Sequence, residues 1–195
     1  MRVLAVAARF TLLTLLLCGI AYPLAVTGLA QLLFASRANG SLVTDVHGRV
    51  VGSELIGQRF TRPSYFWPRP SAAGDQGWDA TSSAGSNLSV TSKKLHERVG
   101  AERVRLQQQN PGAEAAVPDD LLTASASGLD PHISPAAARW QAPRVAQARG
   151  VSLARVQALV DASVEGRELG FLGEPRVDVL ALNLALDQQF GVAGP

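Results

Sequence analysis

The residues best equipped for chemistry lie in one segment, Ser125-Ala126-Ser127-Gly128-Leu129-Asp130-Pro131-His132-Ile133-Ser134-Pro135. Asp130 and His132, two positions apart, would make an acid/base pair or two metal ligands, because imidazole titrates near neutrality and a neighbouring carboxylate raises its pKa. A metal ordinarily wants a third protein ligand, and none is close in sequence. The plainer expectation is a run of turns in which Ser127, Asp130 and Ser134 bond to backbone groups and His132 bridges them. A second polar turn, with Ser86 and Asn87 ahead of a helix at Thr91, is able to cradle a phosphate on backbone N–H groups or to serve only as a helix entry. A third candidate is Tyr65-Phe66-Trp67-Pro68-Arg69-Pro70, which joins rigid aromatics to an arginine as partner-contact hot spots do. Its aromatics would equally well pin the loop to its own domain, leaving Arg69 to face outward. His47 and His96, in a turn and on a polar helix, are expected to face solvent.

Other chemistries are missing their signatures. No GxxxxGK[ST] loop, DKTGT sequence, GxSxG elbow or HExxH pair occurs, so an enzyme working alone is not expected. Cys18 is the sole cysteine and sits in an apolar run, which rules out a disulfide or zinc cluster within one chain. With 18 basic and 16 acidic residues and the arginines scattered, no nucleic-acid footprint is present.

The elements that must position these residues start with a membrane anchor. Phe10 to Ser36 carries no Asp, Glu, Lys, Arg or His and is bounded by Arg9 and Arg37. Roughly 20 apolar helical residues cross a bilayer core, whereas the apolar part of a signal peptide is only about 7–15 residues long. A retained span is therefore expected, with Pro23 as a point of kinking. Arg2, Arg9 and the amino terminus on one side nearly balance Arg37 and Arg49 on the other, and a short leading tail ordinarily stays in the cytoplasm. The expected organisation is a cytoplasmic tail at 1–9, a transmembrane helix at 10–36 and an extracytoplasmic domain at 37–195. The fold class is α+β, one transmembrane helix followed by one compact α/β domain.

Within that domain, Ser41 to Ile56 reads as a β-hairpin turning at His47-Gly48. Gly57 to Val90 is a long Gly/Pro/Ser loop that its aromatics argue is ordered. Thr91 to Gln109 reads as a polar helix with a thin stripe of Leu95, Val99 and Leu106, and Val117 to Ser127 as a short strand and turn. Ser134-Pro135 should start a helix that Gly150 stops, Ser152 should cap another, and Arg176 to Phe190 should run from a Val177/Val179 strand into a helix.

Several segments together resemble one family, the C subunit of the Kdp potassium-transporting ATPase of bacteria and archaea. They are Gly52 to Gln58, Tyr65 to Ser71, Gly85 to Leu88, Ser127 to Ser134, Gly173 to Val177 and Leu182 to Asp187, in family order behind the single span. Ser89-Val90 and Asp178 depart from the Gly-Pro and Asn that the family often has there. The resemblance implies an accessory subunit of an ATP-driven potassium uptake complex in the bacterial inner membrane. Its partners would be a channel-like potassium-binding subunit, a P-type ATPase subunit and a small single-span subunit. It also implies a catalytic chaperone that raises the ATPase subunit's affinity for ATP, with ATP acting through that partner, although nucleotide binding is sometimes ascribed to the family directly. A membrane-tethered nucleotide-binding regulator with a cytoplasmic domain is the alternative reading.

Overall fold

The computed structural model describes residues 1–45 and 48–192 and divides into two units, 1–43 and 44–195. The first unit is a long apolar rod. Helix α1 (Arg2–Leu16) passes through one wide turn at Leu17–Ala21 into helix α2 (Tyr22–Leu33), and Phe34 separates this from the single turn α3 (Ala35–Ala38). The wide turn answers Pro23. A proline has no N–H to give and its ring collides with the carbonyl four residues back, and here Tyr22 N–H donates to Leu17 O, five back, so that the ladder opens just ahead of the ring. Arg2–Leu33 is long and apolar enough to cross a membrane, and its leucines stand exposed on all sides. The helix begins at Arg2, inside the stretch read as a tail.

The second unit packs its helices together, with strands confined to short two-stranded pairs. Strand β1 (Leu42–Thr44) lies at its border and β2 (Val50–Ser53) follows, with the turn between closed by Asp45, which accepts from Arg49 N–H at 2.9 Å and pairs with its guanidinium at 2.7 Å. The apex residues Val46 and His47 lie outside the described residues. No helix or strand forms from Gly57 to Val90, yet the loop is ordered, with Phe66 and Ala73 fully buried.

Helix α4 (Lys93–Gln109) lays only Leu106 fully into the core, as its thin stripe demands. The strand expected after Val117 does not form. Leu121 and Leu122 are adjacent and both buried, which a strand with one solvated face does not give, and Asp119–Leu121 instead makes a turn of 3-10 helix on which Thr123 Oγ donates back to Asp119 O. Strand β3 (His132–Ile133) pairs with β4 (Val177–Asp178), His132 opposite Asp178 and Ile133 opposite Val177. Val179, expected in the strand, is the first residue of the next helix.

Helix α5 (Pro135–Arg149) is the central element, buried along most of its length from Ala137 to Ala146. Ser134 caps it by accepting from Ala137 N–H at 3.0 Å, while its own N–H and hydroxyl donate to Asp120 at 2.7 and 3.1 Å. Gly150 ends it in the left-handed conformation, and Val151 N–H returns to Ala146 O. Helices α6 (Leu153–Ala162) and α7 (Val179–Phe190) complete the core with Val156, Val160, Leu182 and Leu186.

Asp178 caps α7 by accepting from Ala181 N–H at 2.7 Å. Burial raises its carboxyl above the usual aspartate range, against the Ala181 hydrogen bond and the nearby His132. A raised folded-state pKa means stability that is full below the ordinary value of 3.8 and is lost as pH climbs through the folded value. Asp178→Asn keeps a good cap and removes the buried charge, so its melting temperature at pH 7 should equal or exceed the wild type's, with the gain fading as pH falls toward 4. Calorimetry across that range checks this; a variant less stable at neutral pH contradicts it.

Candidate functional site

Two loops converge on α5 and α7. In the first, Pro63 to Trp67, the backbone has no sheet to join, so side chains supply its partners. Asn183 Oδ1 accepts Phe66 N–H at 2.8 Å and its Nδ2 donates to Phe66 O at 3.0 Å. Gln141 does the same for the next residue, accepting Trp67 N–H at 2.9 Å and donating to Trp67 O at 3.1 Å. Two carboxamides, one from each helix, thus replace a β-ladder.

Arg144 lies behind them, with no carboxylate on it among the described residues. Its nitrogens donate to Asn110 Oδ1 (2.8 Å), Tyr65 O (2.9 Å), Gln141 Oε1 (2.7 Å) and Pro63 O, while the guanidinium stacks 3.7 Å over the Trp67 ring. Burial, aided by the positive charge of Arg105, lowers its pKa to about 9, which leaves it charged at neutral pH. Arg149, its side chain 2% exposed, reaches Ser64 O and Asp187, and Asp187 also accepts the Tyr65 hydroxyl at 2.8 Å. Burial, then Asp187, raises the Tyr65 phenol above its ordinary value. Tyr65, Phe66 and Trp67 are therefore held inside their own domain. Pattern reading passed over Gln141, Arg144 and Asn183, whose one visible signal is a polar residue on a face otherwise filled with Ala, Val and Leu.

The second loop, 125–134, is where the segments meet. Gly57 N–H donates to Leu129 O at 2.7 Å, Ser71 Oγ to Gly128 O at 2.6 Å, and Ser83 Oγ to Ser127 O at 2.9 Å. Val179 N–H reaches Pro131 O at 3.0 Å. Arg69 Nη1 lies 3.0 Å from Asp130 Oδ2, and Asp130 Oδ1 accepts His132 N–H at 3.0 Å, with His132 Nδ1 3.5 Å away. Arg69, Asp130 and His132 are thus brought together in a half-buried cluster.

Burial pushes the Asp130 carboxyl up, but His132 and Arg69 outweigh it and hold it below the usual aspartate range. Stability from this group is present above 3.8 and is lost as pH falls through the lower folded value. Asp130→Asn is expected to cost about 1–2 kcal/mol at pH 7. Urea titrations should show the gap between wild type and variant closing below pH 4; a gap constant with pH would contradict the assignment. Among the described residues no group of three His, Cys, Asp or Glu side chains is placed to hold a metal.

Ser86 and Asn87 sit beside this hub, since Gly85 packs against the Ala126 backbone so closely that a Cβ would lie 2.8 Å from its carbonyl oxygen. Asn87 adopts the left-handed conformation, with φ of 49°. The turn therefore breaks before α4 begins, leaving Ser92 as the helix's N-cap. His96 is exposed.

Comparison with known proteins matches residues 4–188 to a family described as KdpC: K+-transporting ATPase, c chain. The chain is 64% identical to the potassium-transporting ATPase KdpC subunit of Myxococcus xanthus, over 95% of this chain and 87% of that one. Against the subunit of the same name from Rhodospirillum rubrum it is 58% identical over 94% of each, and against that from Geobacter sulfurreducens 54% over 88% and 90%.

Proposed function

The chain belongs to the KdpC family, the c chain of K+-transporting ATPases, and from that premise we propose that it is a non-catalytic accessory subunit of a high-affinity, ATP-driven potassium uptake complex. The observation that carries this is the identity to KdpC subunits along nearly the whole chain. The buried polar groups fit the reading: Gln141, Asn183, Arg144 and Arg149 all go to fixing loop shape, which suits a part that acts by touching a neighbour.

Its partners are the channel-like potassium-binding subunit, the P-type ATPase subunit and the small single-span subunit. It acts on them as a catalytic chaperone, aiding assembly and raising the ATPase subunit's affinity for ATP. The span lies in the inner membrane with Arg2 and Arg9 toward the cytoplasm and the domain outside. Charged nucleotides do not cross a bilayer unaided, so the effect on ATP passes through the subunits. Such coupling requires only that docking favour one state of the ATPase subunit over another, and is typically worth about 5- to 150-fold in affinity.

The functional test is nucleotide affinity of the detergent-purified complex with and without this chain. ATP should bind about tenfold more weakly without it, within the usual range of coupling; equal affinity overturns the chaperone role. Placement is tested by Lys94→Cys in a Cys18→Ser background, since Lys94 is exposed on α4. An impermeant maleimide should label it in intact cells, and labelling only after lysis would put the domain in the cytoplasm.

A further inference from the structure

A cleft of about 570 Å³ opens between the 59–78 loop and α4. Four arginines line it, Arg59, Arg69, Arg98 and Arg105, against two carboxylates, Asp75 and Glu102. Arg105 is taken by Glu102, and Arg69 by Asp130 outside the cleft. Arg98 has no hydrogen-bond or ion-pair partner among the described residues, and Arg59 only stacks 5.9 Å over the Trp78 ring. The Nε–H groups of Arg69 and Arg98 are both shielded from water and without an acceptor. Shielded donors on charged groups are costly to leave unmade and ordinarily have partners. Two of them, one on the loop wall and one on the α4 wall, mean that the cleft is short of acceptor oxygens.

We propose that this cleft binds a carboxylate, the Asp or Glu side chain of an exposed loop on a partner subunit, held by Arg98 and Arg69. A planar carboxylate presents two oxygens to a guanidinium fork, and Trp78 and Phe60, which also line the cleft, offer apolar surface to the aliphatic part of the side chain. Charge separates this from a polyphosphate. Asp75 and Glu102 already stand in the cleft, and Arg98 lies well inside α4 (Lys93–Gln109), so no free backbone N–H groups at a helix start are available to share a larger negative charge. The partner rests on the function proposed above; the carboxylate site itself does not.

The test uses the full chain in detergent, with arginine Nε–H resonances as the readout. N-acetyl-glutamate amide, the probe, should shift the Arg98 and Arg69 signals in a saturable way. The glutamine counterpart should not, and Arg98→Gln should weaken the response at least tenfold. No shift, an equal shift with the glutamine probe, or tighter binding of inorganic phosphate overturns the proposal. In the assembled complex Arg98→Glu should lower recovery of this chain with its partners at least tenfold, and an acid-to-arginine change in one exposed partner loop should restore it. If the probe binds but assembly is untouched, the site takes a free carboxylate and the docking partner is wrong; if the probe fails, the site is wrong whatever the complex does.

Discussion

Arg144→Leu is expected to destabilise the domain by about 3–5 kcal/mol, several buried acceptors losing their donor at once. The loss is not that of one ion pair, for Arg144 has none among the described residues. It organises four acceptors at once: Asn110 Oδ1, Tyr65 O, Pro63 O and Gln141 Oε1. Leucine leaves these oxygens buried with fewer donors, each stranded acceptor costing about 1–3 kcal/mol before relaxation. It also removes the cation from the Trp67 face. The melting temperature should fall by roughly 10–15 °C, given how a domain of this size converts free energy to temperature. Arg144→Lys is the informative companion. It keeps a charge but replaces a planar fork by a single ammonium, which cannot span acceptors on α5, the 63–65 loop and Asn110 together, so about 2 kcal/mol should still be lost. Urea denaturation of both variants checks this. A loss under 1 kcal/mol for Arg144→Leu would mean that the loop is held by its aromatics alone.

The local punctuation of this chain was readable and its long-range stitching was not. Ser134-Pro135 and Gly150 mark the ends of α5 because capping depends on neighbours three or four positions away. The apolar run was equally plain, and Pro23 foretold a disturbed ladder, although the form it takes is a single wide turn. Val117 to Ser127 misled because Val117, Leu121 and Leu122 look strand-like in isolation. What decides their conformation is Asp120 bonding to Ser134, fourteen positions on. The carboxamide clamps span still more chain, Gln141 reaching back 74 residues and Asn183 reaching back 117. No periodicity encodes such pairs. Of the candidate site, the grouping of Asp130 with His132 was legible from adjacency, whereas Arg69 as the third member needed the fold. The acceptor-poor cleft joins residues from the 59–78 loop and α4, and only the structure brings them together.

Gly128 is where the stitching is least forgiving, and Gly128→Ala is expected to cost about 3–5 kcal/mol. Two effects combine. The first is conformational: φ is 67°, and an L-residue held there costs roughly 1–2 kcal/mol. The second is space. A Cβ on Gly128 would lie 2.5 Å from Ala84 O and 2.7 Å from Ala73 N, backbone atoms of two other stretches of the long loop that have no side-chain torsion by which to retreat. Gly150 separates the two effects. Its φ is 65°, almost the same, but nothing lies within 4 Å of where its Cβ would be, so Gly150→Ala should cost only about 1 kcal/mol. Asparagine sharpens the contrast, since it tolerates the left-handed region yet carries a Cβ. Gly150→Asn should be nearly neutral, and Gly128→Asn should still carry the steric loss, because its Cβ meets the same backbone atoms. Equal losses at the two sites in thermal denaturation would show that conformation alone matters at Gly128. Unequal losses mean that the 125–134 segment is locked at Gly128 by backbone approaching backbone, with Ala84 O and Ala73 N as the atoms that close on it.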